Sequence, residues 1–149
     1  MRCARRVLSA LPAAVAAAAL SCSVPGIRPE GRTLTVSANA PAGRAEVFAR
    51  AREWFTRSGH AIAREASGAE IRGHRTIATD GDIETRAVVD LAITSSTAES
   101  TSYRVNSHTE RGRPPAFQRV DQNAPESGAA VTSLIAYLSC PTARWPRCP

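Results

Sequence analysis

ETRAVVDLAITSS, residues 84–96, alternates with a period of two. Ala87, Val89, Leu91 and Ile93 fall on one side, and Arg86, Val88, Asp90 and Thr94 on the other. That spacing is the mark of a strand with one face against a core. The neighbouring segments continue the pattern. Upstream, AEIRGHRTIAT (69–79) reaches it through the turn Asp80-Gly81-Asp82, and HAIARE (60–65) precedes that with a Ser67-Gly68 turn. Downstream, STSYRVNSHTE (100–110) puts Tyr103 and Val105 inward and Arg104, Asn106 and His108 outward. Residues 95–102 between them read as a longer, mobile hairpin loop. Further upstream, TLTVSAN (33–39) sets Leu34, Val36 and Ala38 opposite Thr33, Thr35 and Ser37. The turn residues suit antiparallel hairpins.

Two segments switch to helical spacing. In NAPAGRAEVFARAREWFTRSG (39–59), Val47, Ala51, Trp54 and Phe55 repeat at i, i+4, i+7, i+8, with Phe48 beside them. Asn39 is an N-cap residue type and Pro41 suits a first turn. Glu46/Arg50 and Glu53/Arg57 form i,i+4 pairs, and Gly59 ends the helix. NAPESGAAVTSLIAYLSC (123–140) carries the stripe Val131, Leu134, Ile135 and Leu138. Asn123 with Glu126 has the spacing of a capping box, and Pro141 sets the end. The helices are expected over about 40–58 and 124–139, and residues 111–122, with Pro114 and Pro115, read as a loop. The order is β-α-β-β-β-β-α. Both apolar stripes need the same sheet face, which predicts an α+β fold: a single two-layer domain, a curved antiparallel sheet of about five strands with two helices on one face. It is expected to span residues 33–149.

The ends of the chain speak about location. Arg2, Arg5 and Arg6 precede an uncharged run from Val7 to Leu20. As a helix that run spans roughly 21 Å, short of a ~30 Å hydrocarbon core. A basic start, a short apolar run and a small-residue exit describe an export signal over residues 1–21. Residues 22–32, with Pro25, Gly26, Pro29 and Gly31, read as a flexible tether. Ala19-Leu20-Ser21 suits ordinary signal cleavage. Followed by Cys22, the same stretch (ALSC) also resembles the lipobox of bacterial lipoproteins, with Ala19 where that family usually has Leu. The resemblance implies lipid on the Cys22 thiol, cleavage before it, and a membrane-anchored protein of the cell envelope facing the periplasm or the outside.

The chain has four cysteines. Cys3 leaves with the signal. Cys140 and Cys148, in CPTARWPRC, are the natural pair for a disulfide in an oxidising compartment, hooking the tail 140–149. Two cysteines with no nearby histidine cannot fill a zinc site. Cys22 remains, as a lipid-bearing residue or as a free or intermolecular thiol.

A second resemblance rests on ARAREWF, GAEIRGHRTI and YRV. Trp54, Phe55, Ile71, Gly73, Tyr103 and Arg104 resemble the pattern of a family of uncharacterised bacterial exported domains with a TATA-binding-protein-like fold. The resemblance implies the fold and carries no activity.

The chain's formal charge of +6 overstates its basic character. Three of the 19 basic residues lie in the first 21 positions and all 13 acidic ones lie after them, so the remainder carries +3. Every basic residue is Arg, and the charges are interspersed without a basic stripe, which argues against nucleic acid. There is no phosphate-cradling glycine loop and no strained serine elbow with a following His and acid. Asp80-Gly81-Asp82 lacks the ligand spacing of a calcium loop. His60 follows a helix end, where it can meet terminal carbonyls. His74, His108 and Asp90 on adjacent strands have metal-ligand chemistry, but the nearby arginines disfavour a cation, so no metal or cofactor is expected. Arg72, His74, Arg86, Asp90, Arg104, Asn106 and His108 share the outward sheet face and are expected to form an exposed polar saddle, with Val88 among them. That face, or the loop near Pro114-Pro115, is expected to dock another envelope protein. The function expected is non-catalytic binding or scaffolding. The alternative is a periplasmic small-ligand binder with a pocket lined by Trp54 and Tyr103; an enzyme would need convergent titratable groups.

Overall fold

The computed structural model describes residues 28–30 and 33–141. Among these, the strands are β1 (Arg28–Glu30), β2 (Thr33–Ala40), β3 (Ala61–Ala66), β4 (Glu70–Asp80), β5 (Ile83–Ser96), β6 (Thr101–Arg113) and β7 (Ala116–Arg119). The helices are α1 (Arg44–Arg57) and α2 (Pro125–Leu138). The strands form one antiparallel sheet in the order β1-β2-β6-β5-β4-β3, and β7 pairs with β6 beyond the end of β2. The domain is the expected two-layer α+β arrangement, with seven strands rather than five.

The period-two residues of β5 set the sheet. Ile71, Val89, Leu91, Tyr103, Val105 and Val36 face the helices and are buried. From α1, Val47, Ala51, Trp54 and Phe55 meet them, and from α2, Val131, Leu134 and Leu138. Burying each such side chain contributes about 1.5–3 kcal/mol, which holds both helices on one face. α1 lies over β3, β4 and β5, and α2 over β2, β6 and β5. α1 thus carries the chain across the sheet, from β2 to β3 at the opposite side. Gly59, with φ of 74°, ends α1 in the left-handed conformation that favours glycine. Arg50 is buried, pairs with Glu46, and donates to the Cys140 carbonyl at 2.5 Å, which ties α1 to the end of α2.

Both helix starts differ from the expected caps. β2 pairs with β6 as far as Ala40↔Thr101, so Asn39 stays in the strand, where its Oδ1 accepts from Ser102 Oγ at 2.7 Å. The N-cap of α1 is Gly43. At α2 the N-cap is Ala124, and neither Asn123 nor Glu126 makes a side-chain cap bond. Thr109 of β6 supplies it instead. Its Oγ1 accepts the Ala124 N–H at 2.8 Å and bonds Ser127 Oγ at 2.9 Å, while its own N–H donates to Asn123 Oδ1 at 2.9 Å. A sheet residue thus does what the local sequence offered to do, because it also docks the helix.

Three segments read as irregular are ordered. Residues 111–122 hold the end of β6 and all of β7, with Pro114-Pro115 at the hairpin. The expected mobile loop at 95–102 is a tight turn in which Thr97 N–H donates to Ser100 O at 2.7 Å and Thr97 Oγ1 accepts from Ser100 N–H at 3.0 Å. Arg28–Glu30, within the stretch read as tether, pairs with β2. The export signal, Cys22 and Cys148 lie outside the described residues. Among those described, no helix is long and apolar enough to cross a membrane.

His60 is buried behind the end of α1, stacked on Trp54 at 5.0 Å and edge-on to Phe55 at 5.8 Å. Its Nδ1 lies 2.8 Å from Ser58 Oγ. Burial, then the charges of Arg75 and His74, lower its pKa from 6.5 to about 4. The unfolded chain therefore binds an extra proton between those values. His60's contribution to stability is fully present above pH 6.5 and is lost as pH falls through about 4. The full difference amounts to about 3 kcal/mol. The fully buried His108, also held low by burial, adds in the same direction. In urea unfolding between pH 7 and 4, His60→Phe is expected to lose less stability than the parent; equal slopes would show that His60 is not the group responsible.

Candidate functional site

The register places the outward-facing side chains in four rows across the strands. Arg64, Arg72, Asp90, Asn106 and Thr35 form one row. Ala61, His74, Val88 and His108 form the next, and Thr76, Arg86, Glu110 and Arg119 the third. On the other side of the first row lie Glu70, Ala92, Arg104 and Ser37. All seven residues expected on this face are there. Strand pleat explains it, because same-parity residues in register share a face.

The face is not the fully exposed saddle that alternation alone suggests. His108 and Val88 are buried, at 0% and 1% exposure, although they point away from the helices. Beside them lies the end of β6, which the sequence reads as loop. It turns back as β7 and sets Phe117 and Arg119 on the same side as Glu110. The Arg86 guanidinium lies 3.6 Å from the centre of the Phe117 ring, a cation–π distance. Arg86 Nε and Nη2 donate to Glu110 Oε2 at 2.8 and 2.6 Å. Arg72 Nη2 donates to Glu110 Oε1 at 3.2 Å, and His108 Nε2 donates to that oxygen at 2.9 Å. One carboxylate therefore gathers two arginines and a histidine. Burial pushes Glu110's pKa up, but the hydrogen bonds from His108 and Arg86 outweigh it and hold the carboxyl below its usual range. His74 is lowered by burial and by Arg86.

Beyond this cluster the face is open to solvent. A shallow hollow of about 170 Å³ is bounded by Arg64, Glu70, Arg72, Asp90, Ala92 and Asn106. Arg72 Nε is 3.6 Å from Asp90 Oδ1, and Arg64 is 3.8 Å from Glu70. Burial raises the Asp90 pKa against the pull of Arg72. Asn106 Oδ1 accepts from Thr35 Oγ1 at 2.9 Å. Arg104, exposed and next to Ala92 in register, has no carboxylate partner among the described residues. Such a surface can hold polar and acidic groups in fixed geometry. Among the described residues no group of three or more His, Cys, Asp or Glu is placed to hold a metal.

No family model matches the chain. No curated protein matches it either. Among solved structures it is similar to a DUF4468 family protein from Bacteroides ovatus, at 9% identity and a TM-score of 0.38, covering 66% of this chain and 67% of that one.

Glu110 was not among the residues expected on this face, although it has the parity of Asn106 and His108, which would have placed it there. Phe117 carried no such signal, since it follows two prolines and belongs to a strand of four residues. Of the two aromatics expected to line a pocket, Tyr103 is enclosed in the core and Trp54 borders a cavity on the helix side.

Proposed function

We propose that the protein is a lipid-anchored domain of the bacterial envelope that binds or scaffolds a partner protein without catalysis. In this reading Cys22 carries the lipid, Cys140 and Cys148 form the tail disulfide, and the outer sheet face makes the contact. The observation that carries it is the uncovered half of that face: both helices lie on the opposite side, and the hollow beside the unpaired Arg104 is left to solvent. Arg104 and Arg64 at its edges favour an acidic segment of the partner.

Intact mass of membrane-extracted protein tests the anchor. A chain beginning at acylated Cys22, two hydrogens short for the disulfide, is expected. Cys22→Ala should fold with an unchanged unfolding midpoint and leave the membrane fraction; if it stays with the membrane, the anchor is wrong. Crosslinking in cells tests the surface. Arg104→Glu with Arg64→Glu should remove a crosslinked species that the parent forms, while Arg86 is unsuitable because reversing it would break the Glu110 cluster. An unchanged crosslinking pattern would refute the surface.

A further inference from the structure

Three donor groups are left over on the outer face, on the β2–β6 side of the shallow hollow. Asn106 Oδ1 takes the Thr35 hydroxyl hydrogen at 2.9 Å, and Asn39 Oδ1 takes that of Ser102 at 2.7 Å. Each bond spends an amide oxygen and a hydroxyl hydrogen, and leaves the NH2 group of the asparagine as a donor. Neither NH2 group has an acceptor among the described residues. Asn39 is exposed, and Asn106, half-buried, borders the hollow. Arg104 lies between them. The acids of this face are engaged by other arginines: Glu70 by Arg64, Asp90 by Arg72, and Glu110 by Arg72 and Arg86. Arg104 is the cation left without one among the described residues.

The register spaces these groups. Asn39 pairs with Ser102, Ser37 with Arg104 and Thr35 with Asn106, so the three rows follow one another two residues apart along β6. Two residues of an antiparallel strand advance about 7 Å. An extended peptide laid along β6 repeats its own side chains at the same interval. Ala92, beside Arg104 on β5, leaves open space next to the guanidinium. Glu70 and Asp90, on β4 and β5, keep an acidic ligand on the β2–β6 side. Donors call for acceptors, and an ionised carboxylate only accepts. No aromatic side chain lies in these rows, among the described residues, to stack against a sugar ring. We propose that the outer face binds an extended acidic segment of a partner protein, with carboxylates at three alternate positions. The middle one meets Arg104, and the flanking ones accept from the amides of Asn39 and Asn106. This inference rests on the docking reading of the face and adds the form of the segment that docks.

Fluorescence anisotropy with the full chain tests it, at low salt, where surface charges are least screened. The probe is a labelled, end-capped octapeptide of alternating Glu and Thr. The comparison has the same composition with its Glu residues consecutive. The alternating peptide should bind at least about tenfold more tightly, because consecutive acids cannot reach all three rows and a lost charge-assisted hydrogen bond costs about that factor. Asn39→Asp and Asn106→Asp keep the oxygen that accepts from Ser102 or Thr35 and replace the amide hydrogens with a second carboxylate oxygen. Each should weaken binding about tenfold with an unchanged unfolding midpoint. Arg104→Gln should abolish binding, while Arg57→Gln, which removes the same charge from α1 on the opposite side of the sheet, should leave it unchanged. Equal binding of the two peptides, undiminished binding by either aspartate variant, an equal loss in Arg57→Gln, or displacement of the peptide by polygalacturonate at matched carboxylate concentration would overturn the proposal. If any of these appears while Arg104→Glu with Arg64→Glu still removes the crosslinked species in cells, the docking reading stands and the alternating segment falls.

Discussion

Gly73→Ala is expected to destabilise the domain by about 3 kcal/mol, the upper end for overpacking a core, and Gly73→Val by more. A Cβ at Gly73 would lie 2.5 and 2.7 Å from Phe55 Cδ1 and Cε1, and 3.2 Å from the Ala61 carbonyl. The obstacle is the ring of a fully buried phenylalanine rather than a flexible side-chain end. Phe55 has little room to move, since Trp54 meets it edge-on at 5.2 Å and His60 at 5.8 Å. Either the ring is displaced from the core or α1 lifts from β4. Urea unfolding followed by circular dichroism measures the loss. Phe55→Leu alone should also destabilise, yet in the Gly73→Ala background it should recover part of the loss, because it vacates the space the new methyl needs. A Gly73→Ala variant within about 0.5 kcal/mol of the parent would mean that strand and helix are not this close.

Glu110→Ala should cost about 3 kcal/mol. Removing one member of a buried charge cluster typically costs 3–5 kcal/mol, because the remaining charges stay behind unpaired. The lower end applies here. Arg72 is 38% exposed and keeps Asp90 as a partner, so water and that carboxylate offset part of its loss. Arg86, at 21% exposed, and the enclosed His108 bear most of the effect. The loss should diminish at acid pH. Glu110's pKa is lowered in the fold, so its contribution is present above the unfolded value and fades as pH falls through the folded one. A double-mutant cycle with Arg86→Ala should show the double variant losing less than the sum of the singles, by about 1 kcal/mol or more. Additive losses would show that the pair does not act as a unit.

Much of this architecture was legible from the residues. Alternation identified each strand from β2 to β6 to within a few residues, because a strand with one buried face must place apolar side chains at every second position. Helical spacing located the faces of α1 and α2 for the corresponding reason. The same parity put Arg72, His74, Arg86, Asp90, Arg104, Asn106 and His108 together on one face. What it did not reveal was their exposure. Exposure depends on contacts between chain segments, and the pairing of β7 with β6 beside that face leaves no periodic trace in four residues. The helix starts were misplaced for a related reason. Asn39 and Asn123 have capping chemistry, but each is drawn to a sheet residue, Ser102 or Thr109, more than 13 positions away.

The sequence by itself determined the α+β class, the two-layer arrangement and the members of each face, since local periodicity is enough to say which side chains must leave water. Only the tertiary structure decided which polar groups are satisfied. Glu110 finds its arginines across β4 and β5, Thr109 caps a helix from the sheet, and Asn39 and Asn106 spend their amide oxygens on hydroxyls of the neighbouring strand. Each of these depends on distances across the fold, which hydrophobic periodicity does not encode.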